Sequence, residues 1–396
     1  MKGYQKDFPI FKKEFKKNQI IYLDSAATAQ KPKKVIDRVT KFYEHETSNL
    51  GRGNHLLSEK NEISYEDVRR KTAEFIKANS NEIVFTSNCT DSINLIANSI
   101  GLNKEDEVIV SEIEHHSNFL PWQQKATLKI CEIDENGYID ISCLESLISK
   151  KTKLIAITYA SNITGIIQPV EKFIKIAKGH NIPILVDAAQ VVSHFPINVS
   201  SLGCDFLTFS AHKMFGPSGV GILYVKKDSQ KMIYPYKFGG GMVNKVSEND
   251  AEILPFPHSF ESGTPNIEGV LGFGEAIDYI IDIGFENIAI YLNYLEKYMS
   301  SELKKLDFIN VFYPSKENHL PIFTIIPKNI DVDIKFLSQL LSDSFKIIVR
   351  GGHHCCQYIY NKKNLKGGIR VSLHIYNTKK DIDKFISALN NLRQFF

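Results

Sequence analysis

Apolar residues along this chain fall into two kinds of run that alternate. NEIVFTS (81–87) reads as a strand, and DSINLIANSIG after it as an amphipathic helix closed by Gly101. DEVIVSE (106–112) is another strand. TKLIAITYAS (152–161) and IPILVDA (182–188) are continuously apolar, which predicts strands of a parallel sheet covered on both faces. CDFLTFS (204–210) and VGILYVK (220–226) add two more. The alternation predicts an α/β fold with a wound, mostly parallel sheet. After about residue 280 the texture changes. The helical stretches FENIAIYLNYLEKYMSSELKK and DVDIKFLSQLLSD mix with the shorter strands FKIIVR and GGIRVSL, the pattern of a smaller α+β domain. A large domain over residues 18–280 is expected, with residues 1–17 and 281–396 forming the small one. The first strand-like segment, IIYLDSAA, begins near residue 20, and the residues before it are expected to pack near the small domain.

Composition narrows the function classes. The chain has 396 residues, 43% hydrophobic and 23% charged, which excludes a disordered or fibrous protein. Lys plus Arg is 48 and Asp plus Glu is 45; a net charge of +3 gives no argument for a nucleic-acid partner. No run approaches the roughly 18 apolar residues of a membrane span. The basic N-terminus has no apolar run after it, so it does not read as a secretory signal. The six cysteines show no zinc spacing and no disulfide framework. A reducing, cytoplasmic setting is expected, with no metal.

Five windows carry chemistry. In SAHKMFGPSGVG (210–221), Lys213 follows Ser210 and His212 just past a buried strand. Most lysines are solvated loop charges, but one held in a desolvated crevice loses its proton and forms a Schiff base with a carbonyl. In VDAAQ (186–190), Asp187 ends an apolar strand at the carboxyl edge, where open α/β sheets place ligands. It reads equally well as a turn residue or as the partner of a cationic ring nitrogen; Gln190 lies three residues on. FTSNCTDSINL (85–95) is a strand, a polar turn at Cys89–Thr90 and a helix start, a geometry that suits a phosphate or a plain N-cap. SEIEHHSNFLPWQ (111–123) places His115 and His116 after a strand, either as loop histidines or as a ring-stacking proton carrier. In VRGGHHCC (349–356), Cys355 follows Arg350 and two histidines, neighbours that draw a thiol toward its thiolate, on a glycine-containing loop able to swing. Arg370, in GGIRVSL, is placed to clamp a carboxylate or to make an ordinary salt bridge.

These windows together resemble the pyridoxal-phosphate (PLP) enzymes of fold type I in the aminotransferase class V group, and within them the type II cysteine desulfurases (the SufS/Csd group). The resemblance runs from YLDSAATAQKP (22–32) through RGNHLLSE, EHHSNFLPWQ, SNITG, VDAAQ, SAHKMFGPSGVGILYVK and FESGTPN to RGGHHC and IRVSLHIYNT (369–378). It implies a large cofactor domain and a small domain carrying the cysteine loop. It implies that Lys213 joins the cofactor, Asp187 pairs with its ring nitrogen and Gln190 with its phenolic oxygen, and His115 stacks on the ring. Thr90, the backbone at Cys89, Ser210 and His212 hold the phosphate, and Thr264 reaches the phosphate of the other subunit's site in a homodimer. Asn162, Arg370 and Arg350 orient the substrate, and Cys355 receives sulfur. The implied reaction converts L-cysteine to L-alanine and leaves a persulfide for a SufE-like or SufU-like acceptor in iron–sulfur cluster assembly.

Selenocysteine lyase and cysteine sulfinate desulfinase share this fold and most of this site. A non-catalytic sulfur-transfer scaffold is the reading from another class, and the joint presence of Lys213, Asp187, His115 and Cys355 speaks against it. Two departures stand out. Gly351 replaces the family's usual Thr, and Cys356 stands where a small residue such as Ala is usual, with Tyr358 in the place of a common proline. The loop is therefore expected to be looser, and Cys356 to be an Ala-sized filler or a resolving thiol.

Overall fold

The continuous apolar runs become the centre of a seven-stranded sheet in the computed structural model, which describes residues 4–12, 19–51, 53–314, 318–329 and 331–396. Across the sheet the strands are Ile83–Thr86, Gly221–Val225, Phe206–Ser210, Ile184–Asp187, Thr152–Thr158, Glu107–Ser111 and Thr127–Cys131. Gly221–Val225 runs antiparallel to both neighbours, and every other pairing is parallel. Leu154, Ile155, Leu185, Val186, Phe206 and Leu207 are all fully buried, so both faces of these strands are covered, as their lack of alternation requires. Thr127–Cys131 is not evident from the sequence. It lies at the sheet edge and buries only Cys131 fully, so TLKIC shows no apolar run.

The parallel strands deliver their last residues to one edge. Asp187 ends its strand and pairs in register with Thr158 on one side and Thr208 on the other. Ser210 ends the next strand and leads directly into the short turn Ala211–Lys213. The helix Cys89–Ser99 starts at the same edge. Asn88 caps it by accepting the Asp91 N–H at 2.9 Å. Glycine at 221 lets the two approach, since a Cβ there would lie 2.5 Å from Asn88 Cα.

A second sheet has four antiparallel strands in the order Ile309–Val311, Ile322–Pro327, Gly368–Ser372, Arg350–Gly352. The helices Phe285–Leu303, Ile334–Phe345 and Lys379–Asn391 belong to the same part of the chain. The segment FKIIVR divides in two. Ile347–Ile348 pairs in parallel with Ile21–Tyr22, and Arg350–Gly352 joins the four-stranded sheet with Arg350 opposite Arg370. IIYLDSAA is thereby tied to the C-terminal part. The helix Ile267–Ile283 runs without a break through residue 280. Residues 4–12 pack where the two parts meet: Phe8 is fully buried, with ring centroids 4.9 Å from Tyr376, 5.8 Å from Phe215 and 5.9 Å from Tyr279. Burying such a ring contributes roughly 1.5–3 kcal/mol. Residues 13–18 of the N-terminal segment lie outside the described residues.

Candidate active site

One cleft of about 350 Å³ collects most of the residues singled out in the sequence. Lys213, Asp187, His115 and Ser210 line it with His212, Cys89 and Thr90. From the C-terminal part come Arg350, Cys355 and Arg370, and Asn162 completes the set. Two residues stand outside its lining. Gln190 donates from its amide to the carbonyl of Ala26 at 3.0 Å, and Ala26 in turn lines the cleft. Thr264 lies in a separate cavity of about 700 Å³ with Asn49, His55, Arg69 and Glu261. A single chain therefore does not bring Thr264 to Lys213.

Burial shifts Asp187 and Lys213 in opposite directions. Asp187 is buried, which raises its carboxyl pKa, and the charge of Lys213 works in the opposite direction. Burial lowers the Lys213 amine, opposed by Asp187. No ion pair closes between them among the described residues. Both bonds to Asp187 fall on Oδ1: the Ala189 N–H at 2.9 Å and the Cys89 thiol at 3.4 Å. His115 is held as a neutral ring. Its Nδ1 accepts the Ser117 N–H at 3.1 Å, so the proton sits on Nε2. Burial first, then the positive charge of Lys213, pushes its pKa down to about 3. Ser117 Oγ lies 2.9 Å from His115 Nδ1 and 2.6 Å from Thr90 Oγ1, which couples the helix start to the imidazole. The Cys89 N–H donates to Ser210 Oγ at 2.7 Å.

Several supporting residues escape the sequence reading. Asp24 accepts Arg370 Nη2 at 3.0 Å and Arg350 Nε at 3.2 Å, bridging both guanidiniums. Arg370 Nη1 also donates to the Asn162 carbonyl at 3.1 Å, while its buried Nε has no partner among the described residues. An orphaned buried donor on a guanidinium marks a place for an acceptor. Lys31 is half-buried without a carboxylate partner, and desolvation lowers it to about 8. It donates to the carbonyl of His212 at 3.0 Å, which also accepts the Ala29 N–H at 3.0 Å and the Thr28 hydroxyl at 3.1 Å. Three donors thus fix the peptide that carries Lys213. Burial, then Lys213 and Lys31, holds the His212 ring down at about 4.

The cysteine loop is tighter than its glycines predict. At Gly351 a Cβ would lie 2.7 Å from the Ile334 carbonyl and would overlap Ser338 Oγ. This glycine therefore serves a close helix approach and not loop freedom. Tyr358, in the place of the proline, packs on Phe119 at 5.6 Å. His354 is buried, with Nδ1 2.9 Å from Tyr360 Oη and Nε2 3.0 Å from the Arg350 carbonyl. Asn162 Nδ2 donates to the His354 carbonyl at 2.8 Å. His354 (φ +53°) and Cys355 (φ +57°) are consecutive left-handed residues, a conformation that costs of order 1–3 kcal/mol each and persists only where the surroundings impose it. Cys355 is exposed and lines both the cleft and a second, more open cavity of about 480 Å³. Cys356 is buried and donates its thiol to Asn162 Oδ1 at 2.9 Å. Restoring Thr by Gly351→Thr is expected to destabilise the protein by about 1–3 kcal/mol through overpacking. Urea unfolding measures this; an unchanged midpoint would show that Ser338 and Ile334 yield freely.

The aminotransferase class-V family model matches residues 21–385. The chain belongs to this family. A probable cysteine desulfurase of Halalkalibacterium halodurans is 40% identical over 401 residues, covering 99% of this chain and 98% of the relative. A cysteine desulfurase of Escherichia coli is 37% identical over 400 residues, with 98% and 97% covered. The apo structure of a cysteine desulfurase from Thermococcus onnurineus NA1 superposes with a TM-score of 0.93 at 33% identity, covering 100% of this chain and 99% of that one. Class V enzymes of this kind use pyridoxal phosphate, and the seven-stranded sheet here is that of their fold. No described helix is long and apolar enough to cross a membrane.

Proposed function

We propose that this chain is a PLP-dependent cysteine desulfurase that converts L-cysteine to L-alanine and keeps the sulfur on Cys355 as a persulfide. One observation carries the reading: Lys213 and Cys355, 142 positions apart in sequence, line the same cleft. The donor set suits the cofactor. A buried carboxylate without a cation in contact is suited to a protonated ring nitrogen, and the helix start beside Ser210 and Thr90 is suited to a phosphate. Asp187, Lys213, Ser210, Thr90, the Cys89 backbone and His212 would hold it, His115 would stack on it, and Gln190 would reach its phenolic oxygen. Thr264 would serve the other subunit's site in a homodimer. Two domains meeting at the cleft, divided near residue 280, fit this use.

When bound, pyridoxal phosphate supplies an electron sink for the Cα of an amino acid joined to it. The protein's own residues do the rest. Arg370, with its unpaired Nε, takes the substrate carboxylate beside Asn162 and Arg350. Desolvation lowers the Lys213 amine, so once freed it accepts the Cα proton. His115 presents a proton on Nε2. The Cys355 sulfur attacks the substrate sulfur, an S–S bond forms and the Cβ–S bond breaks. The carbon skeleton keeps that electron pair, is protonated and leaves as L-alanine. Exposure of Cys355 favours delivery to a protein acceptor such as a SufE-like or SufU-like partner for iron–sulfur cluster assembly in the cytoplasm.

Sulfide and alanine release from L-cysteine tests the reading, run beside selenocysteine and cysteine sulfinate. Preference for L-cysteine is expected; a preference for either analogue, or inertness toward all three, would overturn it. Cys356→Ala is expected to leave persulfide lifetime unchanged and to lower turnover by less than about tenfold, the value of one hydrogen bond to Asn162. Burial and the nearby Glu114 raise the Cys356 thiol, which keeps it protonated. A persulfide whose lifetime changes in this variant would make Cys356 a resolving thiol instead.

A further inference from the structure

We propose that His116 is the latch of the Cys355 loop, a positioning residue that grips the backbone immediately after the thiol-bearing residue. Its own N–H donates to the Cys355 carbonyl at 2.6 Å, and its ring Nε2 accepts the Gln357 N–H at 3.1 Å. One residue thus closes two bonds that straddle Cys356 and fix the direction of the Cys355 side chain. The base of the latch is rigid. His116 opens the turn His116–Asn118, and Asn118 is fully buried, donating to Glu114 Oε2 at 2.7 Å and accepting the Trp122 indole N–H at 3.0 Å. The loop, by contrast, holds two consecutive left-handed residues that relax once their restraints go. The acceptor role needs a neutral ring with its proton on Nδ1. Burial and the neighbouring His353 lower the His116 pKa, so the ring stays neutral at pH 7.

The latch bears on turnover only through the desulfurase reading, so its test begins without substrate. In the cofactor-loaded protein, hydrogen exchange is followed in a peptide spanning residues 354–358, together with alkylation of Cys355 by iodoacetamide. His116→Leu removes the ring acceptor and is expected to raise both rates at least about fivefold, the scale of one hydrogen bond. His116→Gln restores an acceptor where Nε2 stood and is expected to return both rates toward wild type. Unchanged rates in His116→Leu would overturn the latch. So would an equal rise in both variants, which would mark the ring as mere packing. With L-cysteine added, alanine release should fall in His116→Leu with KM little changed, and recover in His116→Gln. A wild-type protein that releases no alanine, while His116→Leu still loosens the loop, would support the latch and count against the desulfurase reading alone.

Discussion

Lys213→Ala is expected to abolish turnover of L-cysteine, by about four orders of magnitude or more, and to remove the absorbance at about 420 nm that a lysine-bound pyridoxal phosphate gives. Two losses combine. In the proposed mechanism the amine would be the point of covalent attachment and also the base that takes the Cα proton, a use suited to the pKa that burial lowers. The fold should survive, because Lys213 forms no ion pair among the described residues and its backbone is fixed through the His212 carbonyl. A thermal midpoint close to that of the wild-type protein checks this. A variant that keeps both colour and activity would remove Lys213 from the mechanism.

Cys355→Ala separates cofactor from sulfur. The 420 nm band of about wild-type strength should remain, since Asp187, Lys213 and the Ser210–Thr90 end of the cleft are untouched. Persulfide transfer should disappear, with alanine and sulfide release from L-cysteine down by about a thousandfold or more, because no other exposed thiol lines the cleft among the described residues. Cys89 and Cys356 are both buried, and burial raises both thiols. Wild-type sulfur transfer in this variant would move the nucleophile elsewhere.

The parts of the molecule that the sequence announces are those whose physics is local. Strands buried on both faces cannot alternate, so 152–161, 182–188 and 204–210 are evident as unbroken apolar runs. The edge strand Thr127–Cys131 has one open side and no such signature. Lys213 stands out because a hydroxyl, an imidazole and glycines surround it within a few residues. Asp24 does not, since its meaning lies in guanidiniums 326 and 346 residues away in the chain. Lys31 is hidden for the same reason in part, since the bond that ties it to the site goes to the His212 carbonyl, 181 residues away. Gly351 misleads for a different reason. Glycine grants either freedom or closeness, and only the position of the helix Ile334–Phe345 decides for closeness. Thr264 stands apart from Lys213 in a separate cavity, and the role proposed for it would need a second subunit.

The most direct measurement follows the sulfur itself. The cofactor-loaded protein is mixed with L-cysteine carrying a heavy sulfur isotope, its thiols are capped, and every cysteine-containing peptide is mapped by mass spectrometry. One additional heavy sulfur on the Cys355 peptide, formed together with alanine and absent from Lys213→Ala, is the predicted result. Label on another cysteine, or no label while alanine accumulates, would contradict the shared cleft of Lys213 and Cys355 as the seat of the reaction.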